Sequence, residues 1–279
     1  MRHLCWSVAA LAALVAFPAG ALADGPCDRL SGPAKAVADQ VLATEHPYDA
    51  CDRTFAECLK AQPVAPLVRR LADWICRKAA SGQEAPAIVR SLEKRAMSMM
   101  RPGRVQAIDL SSAPLAGCPK ARVAVVAYLC ARCPYCAKLV PALHREVTSG
   151  RLAGRVALHL RLFPIKSHEH STEANVAVAA AASLGKGWEF LLRAYRGFDA
   201  FSPSALADWA VEAGIDRAAF ETAAASPAVR ETVVESKKEG LRNGVDSTPT
   251  FFINGRRWMG DLDIDTLVDA LEEEVDAQP

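Results

Sequence analysis

The sequence predicts an α/β domain carrying a helical insertion, preceded by a small all-α domain, and three observations predict it. Residues 29–100 repeat apolar side chains at helical spacing and show hardly any strand pattern. Residues 122–129 (RVAVVAYL) form a nearly continuous apolar run, which a strand covered on both faces requires. A long helical stretch, 171–243, then separates that run from a second strand pair turned by Asn254-Gly255.

The bulk composition sets the limits. The chain has 279 residues, 51% hydrophobic, 23% charged and 6% aromatic, which excludes a mainly disordered chain, a collagen-like fibre and a coiled-coil rod. Lys and Arg number 33 against 32 Asp and Glu, so the formal net charge is +1 and no basic excess marks a nucleic-acid partner. Nine cysteines are many for a reducing compartment. Residues 1–23 offer the reason: Arg2, an apolar run from Leu4 to Phe17 and the small-x-small site Ala21-Leu22-Ala23 read as a secretory signal peptide cut before Asp24. The run is shorter than the roughly 20 residues a membrane span needs. The mature chain is therefore expected to be exported to the periplasm, soluble and free to form disulfides, with Cys27, Cys51, Cys58, Cys76, Cys118, Cys130, Cys133 and Cys136.

The first domain, 24–103, reads as four helices. They run from Lys35 to Thr44, from Asp52 to Lys60 with Asp52 as N-cap, from Val64 to Ala80 with a stop at Ser81-Gly82, and from Ala85 to Met100 with a stop at Pro102-Gly103. Short connections favour antiparallel neighbours, hence a small bundle, and a core of that size is commonly reinforced by disulfides. Cys27, Cys51, Cys58 and Cys76 are the structural disulfide candidates. On one continuous helix Cys51 and Cys58 would lie about 10.5 Å apart, beyond the roughly 7 Å a disulfide tolerates. They pair only if the helix breaks between them, and pairings such as Cys58 with Cys76 and Cys27 with Cys51 fit better. Three connectivities stay open.

The second domain, 105–279, opens with a short strand candidate, Val105 to Leu110, followed by the strand Arg122 to Leu129. The run CARCPYCAKLVPALHREV then starts a helix, and Val156 to Phe163 is another strand. The insertion turns at Gly185-Lys186-Gly187, Ser202-Pro203, Gly214 and Ser226-Pro227. Strands return from Thr250 to Ile253 and from Arg256 to Met259, and a helix from Asp263 to Val275 closes the chain.

The chemistry centres on Cys133-Pro134-Tyr135-Cys136, placed directly after a strand in the first turn of a helix. Exchange needs a thiolate, and a helix N-terminus stabilises negative charge on its first exposed sulfur. Arg132 adds a neighbouring positive charge. Cys133 is thus the expected nucleophile, and Cys136 the thiol that resolves its mixed disulfides. Cys130 extends the motif to Cys-x-x-Cys-x-x-Cys, so zinc is a competing use of the same spacing, with Cys118, His144, His168 and His170 as possible fourth ligands. Pro134, Tyr135 and the strand–turn–helix setting favour redox chemistry, so no metal and no diffusible cofactor are expected. Ser247-Thr248-Pro249 opens the apolar strand more than a hundred residues later.

These residues closely resemble the DsbA-like thioredoxin family over about residues 105–276, through CPYC, FPIKSHEHSTEAN and GVDSTPTFFINGR followed by Gly260. The resemblance implies a thioredoxin-like fold whose helical insertion precedes a cis-proline strand, and an exported thiol–disulfide oxidoreductase acting on protein clients and reset by a membrane redox partner. The catalytic pair falls on Cys133 and Cys136. Pro249 becomes the cis-proline, with Thr248, Pro134 and Tyr135 on the client side. Three departures bear on direction. Ala127 stands where family members often carry a buried acid six residues before the first cysteine. Pro-Tyr replaces the Pro-His of strongly oxidising members, and Thr before the cis-proline is common in isomerase and reductase branches. Oxidase and reductase directions both stay open.

A second reading keeps the chain as a metal- or haem-handling protein in cytochrome or metalloprotein assembly. It rests on Met97, Met99 and Met100, which otherwise read as core, and on His168 and His170, whose alternation would point both rings one way. Cys130 reads as a buried thiol or an exchange partner. Cys118 cannot reach Cys130 across the strand between them, which spans more than about 25 Å, and is expected to tie the two domains together.

Overall fold

In the computed structural model the described residues are 25–100 and 104–278. The expected signal peptide and the domain junction near residue 103 lie outside them. The chain divides into two compact units, each built on its own core.

The helical unit contains α1 (Gly32–Thr44), α2 (Phe55–Cys58), α3 (Pro66–Ala80) and α4 (Ala85–Met100). Pro66 opens α3, where its missing N–H has no intrahelical partner to lose. Gly82, at φ +85°, supplies the left-handed residue that turns α3 into α4. Val41, Phe55, Leu71, Trp74, Ile75 and Ile88 form the core.

Three expectations for this unit are corrected. Asp52 does not start the second helix; Thr54 does, its hydroxyl accepting from the Glu57 N–H while the Glu57 carboxylate accepts from the Thr54 N–H. Cys51 therefore sits ahead of the helix on non-helical chain. That removes the 10.5 Å obstacle, and Cys51 pairs with Cys58 at a Cα separation of 6.2 Å. Cys27 pairs with Cys76, 5.1 Å apart at Cα, so the Cys58–Cys76 and Cys27–Cys51 pairings do not form. Met97 and Met100 are exposed rather than core.

The second unit holds a five-stranded sheet in the order β1-β3-β2-β4-β5, formed by β1 (Leu115–Gly117), β2 (Val123–Leu129), β3 (Val156–Leu162), β4 (Thr250–Ile253) and β5 (Arg256–Arg257). Helix α5 (Pro134–Thr148) joins the parallel pair β2 and β3, registered from Val123↔Val156 to Leu129↔Leu162. The other pairs are antiparallel. Asn254 and Gly255, at φ 47° and 77°, make the β4–β5 turn that their sequence signals. The insertion is α6 (Ser171–Ser183), α7 (Gly187–Arg196), two single 3-10 turns, α8 (Leu206–Glu212), α9 (Arg217–Ala225) and α10 (Pro227–Arg242), and α11 (Ile264–Asp276) closes the chain. The expected class, a thioredoxin-like fold with a helical insertion after an all-α region, is the one observed.

Val105 to Leu110 is not a strand. Gln106 N–H donates to Gly255 O (2.8 Å) and Asp109 N–H to the Glu239 carboxylate (2.8 Å), so these donors find acceptors outside any ladder. The first strand is Leu115–Gly117, on the outer edge of β3. Glu239 of α10 also accepts from the Tyr128 hydroxyl (2.9 Å) and pairs with Arg161 (2.6 Å), so a buried charge is neutralised against the sheet. Burial pushes the Tyr128 phenol up to about 12.

The two disulfides close loops of very different length, with sequence separations of 49 and 7. Loop-closure entropy gives about 4 kcal/mol for the longer and about 2 kcal/mol for the shorter. Paired Cys27→Ala and Cys76→Ala substitutions should thus destabilise the helical unit about twice as much as Cys51→Ala with Cys58→Ala. Guanidinium unfolding followed by circular dichroism and Trp74 fluorescence measures both, and equal losses would contradict the loop-length account.

Candidate active site

Strand β2 ends at Leu129, and the Cys130 carbonyl accepts from the Cys133 N–H at 3.1 Å, closing a tight turn into α5. Cys133 is the N-cap of α5 in extended conformation, and Pro134 occupies the first turn, where its fixed φ is already helical. On the other side, β4 pairs with β2 from Val125↔Ile253 to Tyr128↔Thr250. The chain leading into β4 therefore returns to the end of the sheet where β2 runs out. The Thr248–Pro249 bond there is cis, and the Thr248 carbonyl accepts from the Cys133 thiol at 3.1 Å.

The two sulfurs are driven apart in acidity. The Cys136 thiol donates to Cys133, which brings Cys133 down to about 5 against the opposing effect of burial; the Thr248 side chain and the N–H groups of Cys136 and Tyr135 lower it further. Burial pushes Cys136 well above the usual thiol range, and the neighbouring Cys133 adds to the effect. One sulfur is thus an ionised nucleophile near neutral pH, and the other a thiol held in reserve. Cys133 is not the exposed sulfur expected from sequence, because the Thr248 loop covers it and leaves the residue 1% exposed. Tyr135, at 71%, is the exposed member of the motif.

Arg132 does not act as a local counter-charge. Its guanidinium lies between Phe198 and Phe201, 4.5 and 4.3 Å from the ring centres, and donates to Phe198 O at 2.7 Å and Glu169 O at 3.4 Å. It anchors the insertion to the active-site turn. Cys130 is a buried free thiol whose sulfur lies 3.3 Å from Ser171 Oγ and 3.5 Å from both His168 Nδ1 and Asn175 Nδ2. His168 thus turns to Cys130, whereas His170 packs against Phe201 and the Glu169 and Glu173 carboxylates. The two rings do not converge. His144 is half-buried beside Trp188, and burial lowers its pKa. Among the described residues no group of three His, Cys, Asp or Glu side chains is arranged to hold a metal ion. Tyr195 of α7, which no sequence motif marked, is buried at the site and donates to the Cys130 carbonyl at 3.2 Å.

The Thioredoxin_4 family model, described as Thioredoxin, matches residues 111–273. The chain belongs to the thioredoxin family. Among solved structures, this thioredoxin resembles a thioredoxin-like oxidoreductase from Silicibacter pomeroyi at 25% identity, covering 60% of this chain and 95% of that one with a TM-score of 0.51. The thiol-disulfide exchange protein α-DsbA2 from Wolbachia pipientis has the same fold at 21% identity, covering 67% and 98% of the two chains with a TM-score of 0.54. BdbD from Bacillus subtilis does so at 16% identity, covering 63% and 100% with a TM-score of 0.52. With the family match, these likenesses bear out the expected thioredoxin-like fold. Curated relatives include the Na(+)/H(+) antiporter NhaA of Herminiimonas arsenicoxydans, 31% identical over 154 residues, which are 54% of this chain and 24% of that protein. NhaA 3 of Salinispora tropica is 31% identical over 150 residues, 53% of this chain and 22% of that protein. The chain thus spans about a quarter of the length of these relatives. No helix among the described residues is long and apolar enough to cross a membrane.

The acidity of Cys133 makes a direct prediction. Alkylation of the reduced protein by iodoacetamide should follow the Cys133 thiolate, with a midpoint at about 5. Below it the rate should fall about tenfold per pH unit as the sulfur protonates, and Cys136, kept a thiol, should be spared. Arg132→Ala should move that midpoint by less than about half a unit, because the guanidinium is spent on Phe198 and Phe201. Mass spectrometry across pH 3–9 reads both, and a large shift in the variant would restore Arg132 as the counter-charge.

Proposed function

We propose that the protein is an exported thiol–disulfide oxidoreductase that exchanges disulfides with protein clients through Cys133 and Cys136. The observation that carries this reading is the Cys133 sulfur, held at the N-terminus of α5 against the Thr248 carbonyl with its acidity raised to about 5, beside a Cys136 thiol kept protonated. In one direction the Cys133 thiolate attacks a client disulfide. A Cys133–client bond forms, and the client's other sulfur leaves with the electron pair and takes up a proton. Cys136 then attacks Cys133, closing the enzyme disulfide and releasing the second client thiol. In the other direction a client thiolate opens the Cys133–Cys136 disulfide and the same steps run in reverse. Thr248 and Pro249 hold the client backbone, and Pro134 and exposed Tyr135 form the lip it crosses.

Export is supported by the two disulfides of the helical unit, which persist in an oxidising compartment. We assign the periplasm, and a membrane redox partner that resets the dithiol. A nucleophile at about 5 lies between dithiols at about 7 and about 3.5 in proteins of this fold, whose potentials are about −270 and about −120 mV. The proposed potential falls between these limits.

Two measurements test the proposal. Cys133→Ser should abolish exchange with a disulfide-bonded peptide, whereas Cys136→Ala should accumulate a client mixed disulfide visible by mass spectrometry; exchange at the normal rate in Cys133→Ser would overturn the assignment. Equilibration in a glutathione series then gives the potential, and a value at either limit would set the direction as a strong disulfide donor or as a reductase.

A further inference from the structure

At the end of the sheet where β2 runs out, β3 runs out too. The Phe163 N–H donates to the Leu129 carbonyl at 2.8 Å, so the chain leaving β3 starts beside the strand that leads to Cys133. It then turns, the His168 N–H donating to the Ile165 carbonyl at 3.0 Å, which sets Lys166 at an exposed tip. With α10 and the loop before β4, this segment lines a groove of about 620 Å³. Asp246, part of that lining, stands two residues before Thr248, whose carbonyl meets the Cys133 sulfur. The groove therefore adjoins the thiol.

Its floor is apolar and held in place. Phe163 is buried, and its ring lies so close to Gly240 of α10 that a Cβ there would come within 2.7 Å of a ring carbon. Ile165 packs against the same core, whereas Leu241 is 57% exposed. The rim is cationic. Lys237 donates to the Pro164 carbonyl at 2.7 Å and lies 5.6 Å from the Phe163 ring centre. Among the described residues neither Lys237 nor Lys166 is paired with a carboxylate. Asp246 does not balance them, because its carboxylate is already bonded to Arg257 at 3.1 Å and to the Ser247 hydroxyl at 3.0 Å. An apolar floor under two unpaired cations is complementary to an apolar side chain beside an acidic one.

We infer that this groove selects clients: it takes a client segment with an apolar residue next to an acidic one, two to four positions from the cysteine that reacts with Cys133. The spacing follows from the backbone. A client strand held along Thr248 advances about 3.3 Å per residue, so it passes Ser247 and Asp246 and enters the groove within that span. The apolar side chain covers Phe163 and Leu241, and the carboxylate meets Lys166 and Lys237. The inference rests on the proposed disulfide exchange and adds a substrate class to it.

Competition between peptides tests it. Each peptide has one cysteine activated as a mixed disulfide with thionitrobenzoate, and a Leu-Glu or Leu-Lys pair three positions away, before the cysteine in one set and after it in another. Cys133 attacks the peptide sulfur, the Cys133–peptide bond forms, and thionitrobenzoate leaves with the electron pair. The full chain, its dithiol reduced, meets both peptides in one mixture. Mass spectrometry of samples quenched early in acid gives the ratio of the two rates, from which any change at Cys133 itself cancels. The Leu-Glu peptide should react about fivefold faster at low salt, in one of the two sets, with the ratio falling towards one at about 0.5 M salt. Lys166→Glu should reverse the preference. Leu241→Ser should cut the advantage of Leu-Glu over Ser-Glu about threefold. Both residues are exposed, so neither change opens the core. Equal rates for Leu-Glu and Leu-Lys in both sets, or a preference that survives Lys166→Glu, overturn the inference and leave exchange standing. Lys166→Glu that alters self-association in sedimentation velocity while the peptide ratios stay fixed would give the groove to a second copy and also overturn it. Failure of the unsubstituted chain to release thionitrobenzoate from any peptide overturns the function and the inference together.

Discussion

The antiparallel register between β2 and β4 is the constraint on which the site depends. Tyr128 lies opposite Thr250, so the chain running out of β2 towards Cys133 and the chain arriving at β4 from Thr248 meet at one end of the sheet. A slip of one residue would move Thr248 by about 3.4 Å and turn every β4 side chain to the other face. The sulfur-to-carbonyl contact of 3.1 Å would not survive either change. The apolar residues that fix the register, Val126, Ala127, Phe251 and Phe252, are all buried. Hydrophobic packing in the sheet is thus what sets the geometry at the thiol.

Given that placement, the site divides the labour between two chemically identical side chains by environment alone. Cys133 gathers groups that favour its thiolate: the Cys136 thiol, the Thr248 side chain and two N–H groups of the first turn. Cys136 receives burial and a neighbouring negative charge. Two equivalent titratable groups are thereby pushed apart, one towards the thiolate and one towards the thiol. A formal positive charge is not among the main causes. Arg132, adjacent in sequence to Cys133, is turned away into an aromatic clamp where its charge stabilises tertiary structure.

What was legible in the sequence was local. Cys133-Pro134-Tyr135-Cys136 after an apolar strand, the Asn254-Gly255 turn and the strand after Pro249 each carry their meaning within a few residues, and the structure realises each in place. What was not legible depended on partners far along the chain. Residues 105–110 look like a strand by composition, yet their donors go to Gly255 and to Glu239 of α10. The disulfide pattern turned on where α2 starts, and the Thr54–Glu57 capping box lies two residues beyond the Asp52 that also reads as a cap. Tyr195 sits in a helix whose apolar face reads as ordinary core. Only the packing of α7 brings its hydroxyl to a carbonyl 65 positions earlier.

The helical insertion is therefore part of the dithiol site and not an ornament on a smaller fold. Four of its residues converge on one turn: Ser171 and Asn175 of α6 on the Cys130 sulfur, Tyr195 of α7 on the Cys130 carbonyl, and Phe198 on the Arg132 guanidinium. A thiolate at the end of a sheet would otherwise face bulk water, and screening would weaken every donor aimed at it. The insertion thus packs over residues 130–132 beside a fully buried Cys136, while the loop carrying Thr248 contacts Cys133. Substitutions in α6 and α7 distant from Cys133 in sequence are thereby placed to alter the acidity of its partner thiol, because the turn they hold is the one from which both sulfurs are aimed.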